Sequence, residues 1–263
     1  MMEDQPARPD PRPRLSVVIS TLNAGQTLAR CLDSLAAQVF RDFEVIVIDG
    51  GSKDDTAKIS AGYGHVVTHF RSEPDTGIYD AWNKALRLSR GEWVSFLGAD
   101  DRLATPQALS RFSSLANFPA VTLVSARVDM TGASGAVVRS SGEVWRLTTM
   151  KKYMAVAHPG AWHHRSLFDI YGNFDSGYRL AGDYEFLLRS TASIRAAFIP
   201  ESLVTMQLGG ISNRSYWLHV AENYSVLRKC PIGGRFHAMR FLLRASVSRI
   251  LSRMRVAGNA AAH

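Results

Sequence analysis

The sequence predicts an α/β fold: a Rossmann-like, mostly parallel central sheet flanked by helices, with a helical C-terminal extension. Three observations carry this. Short apolar runs at 15–20, 43–48 and 93–97 read as strands buried on both faces. The first two are each followed by a polar turn and then by a helical pattern, the alternation expected of right-handed crossovers in a parallel sheet. Polar residues cluster after each run, at Thr21, Asp49 and Asp100, where the carboxyl ends of parallel strands bind ligands.

Taken in order, residues 1 to about 13 carry four prolines and mixed charge. They read as a disordered lead-in without the apolar core of a signal peptide. After the first run, Leu28, Leu32 and Leu35 recur at helical spacing, with Asn23 placed to cap that helix. After the second, the turn 49–55 leads into a shorter helix beginning near Asp54. The polar turn 71–77 leads into a helix in which Ile78, Trp82, Ala85 and Leu86 share one face. Asp75, Asp80 and Lys84 then fall near a phosphate or sugar, or simply cap and brace the helix start. Residues 181–189 read as a helix with Tyr184, Leu187 and Leu188 turned inward and Asp183 near the free amides of its first turn.

Composition narrows the function. A chain of 263 residues, 46% of them apolar, can bury a full core. No uninterrupted stretch approaches the roughly 20 apolar residues that span a bilayer. Cys31 and Cys230 have neither metal-site nor disulfide spacing, which makes a reducing cytoplasm the simplest home. The formal charge of +8 is uneven. From Ile211 onward eight arginines and one lysine face the single acid Glu222, whereas the preceding residues balance 22 bases against 22 acids. Met239, Leu243, Val247, Ile250 and Met254 form a stripe flanked by Arg240, Arg244, Arg249 and Arg253. Such a helix can lie on an anionic membrane surface or pack on its own domain with a solvated basic face. Nucleic acid is not expected as a partner, because no aromatic platform or binding motif accompanies the charge.

Asp100-Asp101 ends the run at 93–97 through Gly98-Ala99. Adjacent carboxylates at a strand end can hold a hard divalent cation against phosphate oxygens, or form an ordinary surface turn.

Four segments, at 13–23, 47–56, 73–84 and 96–101, resemble in order the signatures of family 2 glycosyltransferases, and the resemblance covers about residues 14 to 210. It is nearest to the branch building bacterial capsule, exopolysaccharide and lipopolysaccharide sugars. The resemblance implies a GT-A fold, a nucleoside-diphosphate sugar donor, Mg2+ or Mn2+, and transfer with inversion. It divides the chain into the lead-in 1–13, a catalytic domain 14–210 (donor half 14–101, acceptor half 102–210) and a basic helical extension 211–263.

Carried over by residue, the resemblance places Thr21, Asn23 and Asp49 around the nucleotide. Asp75, Tyr79, Asp80 and Lys84 line the donor pocket, Asp100 lies nearest the metal, and Asp101 shapes the sugar site. It implies Asp183 as the general base with Glu185 as fallback. This chain departs from the pattern twice. Gly98 stands where many members have an acid, and Gly182 replaces the usual first acid of the base pair.

The resemblance further implies that His158, before Pro159-Gly160, contacts acceptor or diphosphate, and Trp162 is a candidate sugar-stacking face. His163 and His164 are read as structural. The glycines of 209–212 suggest a loop closing over donor. The resulting expectation is a glycosyltransferase on the inner membrane face, moving sugar to a lipid-linked or cell-surface glycan. The alternatives are a nucleotidyltransferase, disfavoured by the lack of Lys or Arg in 21–25, and a non-catalytic sugar-nucleotide-binding module.

Overall fold

The computed structural model describes residues 12–118, 120–132, 134–208, 216–230 and 234–245. Most of the expected lead-in, the 209–212 loop, and Val247, Ile250 and Met254 of the tail stripe lie outside the described residues.

Strands β1 (Leu15–Thr21), β2 (Phe43–Asp49), β3 (His69–Ser72) and β4 (Trp93–Gly98) form a parallel block in the order β3-β2-β1-β4. The crossovers carry α1 (Leu28–Ala36), α2 (Thr56–Gly62) and α3 (Ile78–Leu88). The strand period of two divides the apolar side chains between faces. Val17, Ile19, Val45 and Val47 meet Leu28, Leu32 and Leu35 of α1, while Val18, Ile46, Ile48 and Phe96 meet Tyr79, Trp82 and Ala85 of α3. Each such aliphatic side chain contributes about 1.5–3 kcal/mol by leaving water, which is why these runs are apolar throughout.

Beyond β4 the sheet is mixed. The chain adds β5 (Arg102–Leu103), α4 (Ala108–Ala116), β6 (Leu123–Thr131), β7 (Val137–Ser141), α5 (Leu147–Met150), β8 (Ala161–His164), α6 (Arg165–Tyr171), α7 (Gly182–Arg189), β9 (Ala196–Gln207) and α8 (Tyr216–Lys229). The order continues β4-β8-β6-β9-β5, with β7 on β6. Strand β8 runs antiparallel to both β4 and β6, so the parallel pattern stops there, and β6-β9 restores one parallel pair. A further helix covers 234–245.

The two ends of the parallel block differ in character. At the amino ends, Glu44 accepts from Ser16 Oγ and the Arg90 amide, each at 2.6 Å. Gly91 packs there so tightly that a Cβ would stand 2.4 Å from the Ser16 nitrogen. At the carboxyl ends, Thr21, Asp49, Ser72 and the turn 98–101 converge on one edge. Strand pairing therefore gathers Thr21 and Asp49, with the turn that carries Asp100 and Asp101.

Candidate functional site

Asp49 organises that edge. It is fully buried, opposite Thr21 in the strand register, and accepts from Thr21 Oγ1 at 3.0 Å and Ser72 Oγ at 2.6 Å. The Ser52 hydroxyl and amide and the Gly51 amide complete its shell. Burial alone would raise the carboxyl's pKa, but the bonds from Ser52, Ser72 and Thr21 outweigh it and hold it below the usual range. Asp49 thus ties three loops together as a saturated anion. Ser52 and Ser72 escaped the sequence reading; the Asp49-x-x-Ser52 spacing of a side-chain turn was the available signal.

Asn23 does not cap α1, which starts at Leu28 after Thr27. It takes a left-handed conformation with φ of 51° and bridges to the neighbouring loop, its amide donating to Ser52 Oγ at 2.7 Å and its Oδ1 accepting from the Lys53 amide at 2.9 Å. Asn tolerates that conformation better than most residues.

The loop 73–77 forms the next wall. Asp75 accepts from the Gly77 amide at 3.0 Å, and its Oδ2 lies where a Cβ on Gly50 would be 2.6 Å away, so only glycine at 50 allows this approach. Desolvation raises the Asp75 pKa despite the Gly77 amide and Lys84. Lys84 Nζ donates to the Pro74 carbonyl at 2.7 Å and pairs with Glu73 at 3.3 Å and Asp80 at 3.4 Å. Asp80 also accepts from the Thr76 amide at 3.1 Å, the main reason its pKa is lowered. Lys84 and Asp80 accordingly brace the loop 73–77.

In the turn after β4, Asp100 is partly exposed whereas Asp101 is 3% exposed. Asp101 Oδ2 accepts from the Gly98 amide at 2.7 Å, and its buried Oδ1 has no hydrogen-bond partner among the described residues. Burial, then the charge of Asp100, pushes the Asp101 pKa up to about 8. A Cβ on Gly98 would meet Asp100 at 2.7 Å and Asp101 at 3.1 Å. Among the described residues no three His, Cys, Asp or Glu side chains gather as a metal site. The partly exposed Asp100 carboxylate and the orphaned Asp101 oxygen are both oxygen donors, the ligand type that fits a hard cation completing its shell with substrate phosphate and water.

The second half brings a carboxylate toward α3. Asp183 is half-buried, the second residue of α7. Its Oδ1 accepts from the Tyr79 hydroxyl at 3.0 Å and the Tyr184 amide at 2.8 Å, while Oδ2 accepts no hydrogen bond from the described residues. Desolvation raises its pKa, offset in part by those two bonds. One anchored oxygen and one open oxygen suit a general base. Glu185 is instead held by Arg189 at 2.9 Å, one turn along the helix. Tyr79 is 3% exposed, so it contacts Asp183 rather than lining an open donor pocket. Gly182 accounts for the missing acid: a Cβ there would stand 2.8–2.9 Å from the Tyr79 ring.

Two expected contacts are corrected. Trp162 lies on interior strand β8, 1% exposed and stacked on Phe112 at 5.0 Å, with no face open to a sugar. His158 is 6% exposed, stacked on Trp82 at 4.9 Å, and burial drops its pKa to about 3, so it packs as a neutral ring beneath the site. His163 is buried beside it at 5.0 Å, on a strand, as the structural reading expected.

Residues 16–169 match the family described as glycosyl transferase family 2. The chain is 30% identical over 214 residues to the PGL/p-HBAD biosynthesis glycosyltransferase of Mycobacterium tuberculosis, spanning 76% of this chain and 80% of that protein. Staphylococcus aureus TarS 1–349 in complex with UDP-GlcNAc shares 19% identity and a TM-score of 0.68 over 87% of this chain and 71% of that one. The mannosyltransferase PcManGT from Pyrobaculum calidifontis, in complex with GDP-Man and Mn2+, shares 18% identity and a TM-score of 0.64 over 100% of this chain and 85% of that one. At these identities the two solved structures establish the GT-A fold.

Proposed function

The chain belongs to glycosyl transferase family 2, and on that premise we propose that it transfers sugar, with inversion, from a nucleoside-diphosphate sugar to a hydroxyl of a glycan or lipid-linked acceptor. The observation carrying this reading is the 3.0 Å bond from Tyr79 to Asp183, because Tyr79 belongs to the helix that follows the donor loop. It sets a carboxylate with an open oxygen beside the donor edge. Residues 14–101 then act as the donor half, 102–210 as the acceptor half and 211–263 as an extension.

In this reading Asp49, saturated by its hydroxyls, holds the loops that receive base and ribose, Thr21 and Asn23 at its side. Asp75 and the start of α3 line the sugar and diphosphate. Asp100, beside Asp101, would hold Mg2+ or Mn2+, which when bound supplies positive charge against the departing diphosphate. Asp183 Oδ2 takes the acceptor proton as the hydroxyl oxygen attacks the anomeric carbon. The new bond forms opposite the breaking carbon–oxygen bond, which inverts the centre.

The test is a panel of UDP-, GDP- and dTDP-sugars with Mn2+ or Mg2+, read by thermal stabilisation and by nucleoside-diphosphate release. The reading expects one nucleotide class to stabilise the protein and release diphosphate. Stabilisation without release or transfer to any acceptor supports a non-catalytic binding module instead. Release of pyrophosphate from a nucleoside triphosphate supports a nucleotidyltransferase.

A peripheral membrane location is supported by the helix at 234–245. Phe236, Met239 and Leu243 are exposed at three- and four-residue spacing, beside exposed Arg235, Arg240 and Arg244. Tyr216 donates to the Ala245 carbonyl at 2.9 Å, which brings exposed Trp217 to the same end. No helix of the described residues is long and apolar enough to cross a membrane. An aromatic and basic surface of this kind suits anionic headgroups. Salt-sensitive sedimentation with phosphatidylglycerol vesicles, lost in Phe236→Ser/Met239→Ser/Leu243→Ser, is the expected result; sedimentation unchanged by these substitutions contradicts it.

A further inference from the structure

Helix α8, like α7, lies beyond the residues 16–169 that match the family, and it bonds to the residues that lead into α7. Its Glu222, the single acid after residue 210, is buried. Glu222 Oε1 accepts from the Arg179 amide at 2.8 Å, and Oε2 from the Leu180 and Ala181 amides at 2.8 and 2.9 Å. Three consecutive amides thus converge on one carboxylate, as they would on an anion in a backbone nest. Bonds to an ionised acceptor are about twice as strong as neutral ones. They act immediately before Asp183, and no side-chain hydrogen bond from Ala181 caps α7.

We propose that Glu222 is a positioning residue for the reaction: it fixes the entry of α7 and thereby the placement of Asp183 against Tyr79. The proposal rests on the reading of Asp183 as base. Without the clamp, residues 179–181 lose their common acceptor and the first turn of α7 can shift. A displacement of about 1 Å in a proton acceptor can cost on the order of a hundredfold in rate. Gln at 222 keeps the shape but turns an amide NH2 toward a backbone N–H, so at least one of the bonds is lost. Asp keeps the charge and shortens the reach.

The test compares the full chain, Glu222→Gln, Glu222→Asp, Asp183→Asn and the double variant Glu222→Gln/Asp183→Asn. Nucleoside-diphosphate release from UDP-glucose, UDP-GlcNAc and GDP-mannose with Mn2+ is followed below the melting temperature, alongside amide exchange of residues 179–184. Glu222→Gln is expected to lower kcat about tenfold or more, to leave the donor KM within about twofold, and to cost nothing further in the Asp183→Asn background. Glu222→Asp should fall between, and it carries the test if Glu222→Gln does not fold. Parent-like kcat in Glu222→Gln, or the same fold loss with and without Asp183, overturns the role of Glu222 alone. Parent-like turnover in Asp183→Asn overturns the base reading itself and this proposal with it.

Discussion

The Tyr79 hydroxyl donates to Asp183 Oδ1 at 3.0 Å across 104 residues of sequence, joining the helix after the loop 73–77 to the helix bearing the proposed base. The ring of Tyr79 also fills the space beside Gly182. One side chain therefore both replaces an acid sterically and orients the acid that remains.

Tyr79→Phe keeps the ring and removes the hydroxyl. The Tyr79 bond is among the influences lowering the Asp183 pKa against its burial, so its loss raises that pKa further. A base must be deprotonated, so the acidic limb of kcat against pH should move to higher pH, with kcat at neutral pH down about tenfold. An unshifted limb would show that this hydroxyl does not tune the base.

Gly182→Ala inserts a methyl 2.8–2.9 Å from three atoms of a buried ring. The expected cost is about 1–3 kcal/mol of stability, with lower turnover as Tyr79 moves from Asp183. Denaturant unfolding and kcat measured on one preparation check both effects.

The fold was legible wherever local pattern and tertiary need agreed. The runs at 15–20, 43–48 and 93–97 are buried strands because both their faces are covered, and Leu28, Leu32 and Leu35 mark the inward face of α1. The gathering of Thr21, Asp49 and Asp100 followed from parallel topology. What could not be read depended on partners distant in sequence. Trp162 and His158 carry ring chemistry suited to a site, yet their burial depends on Phe112, Trp82 and Phe96. The bond from Ser72 to Asp49 forms only through β2-β3 pairing, which joins residues 23 apart in sequence. Glu222 stood out only as a charge count, and its partners lie 41 to 43 residues earlier.

Burial makes stability depend on acid. The His158 pKa is pulled to about 3 and that of His163 well below its usual value of 6.5, burial being the main cause for both. A depressed folded pKa means that the unfolded chain binds the protons. Stability is then full above about pH 6.5 and falls with pH down toward the folded pKa, by roughly 1.4 kcal/mol per pH unit for each histidine. His158→Phe, packed among the same rings, should flatten the slope by one proton in urea unfolding at pH 7, 6 and 5. A slope equal to the parent's would contradict this.

Asp100→Asn should weaken Mn2+-dependent binding of nucleoside diphosphate by about tenfold or more, since it removes the partly exposed charge that would hold the cation. Asp101→Asn should cost less metal-dependent affinity and more stability, because Asp101 is buried and its Oδ2 holds the Gly98 amide. Calorimetric titration with and without Mn2+, beside melting curves, separates the two. Equal loss of metal-dependent affinity in both would remove the ranking of Asp100 over Asp101.

The most direct test of the account is single-turnover kinetics of Asp183→Asn with the donor identified from the nucleotide-sugar panel. Donor affinity should stay within about twofold of the parent while the chemical step slows about a hundredfold, because only proton acceptance is lost. A chemical step at the parental rate in Asp183→Asn, with a severe loss in Glu185→Gln, would contradict the account and move the base to Glu185.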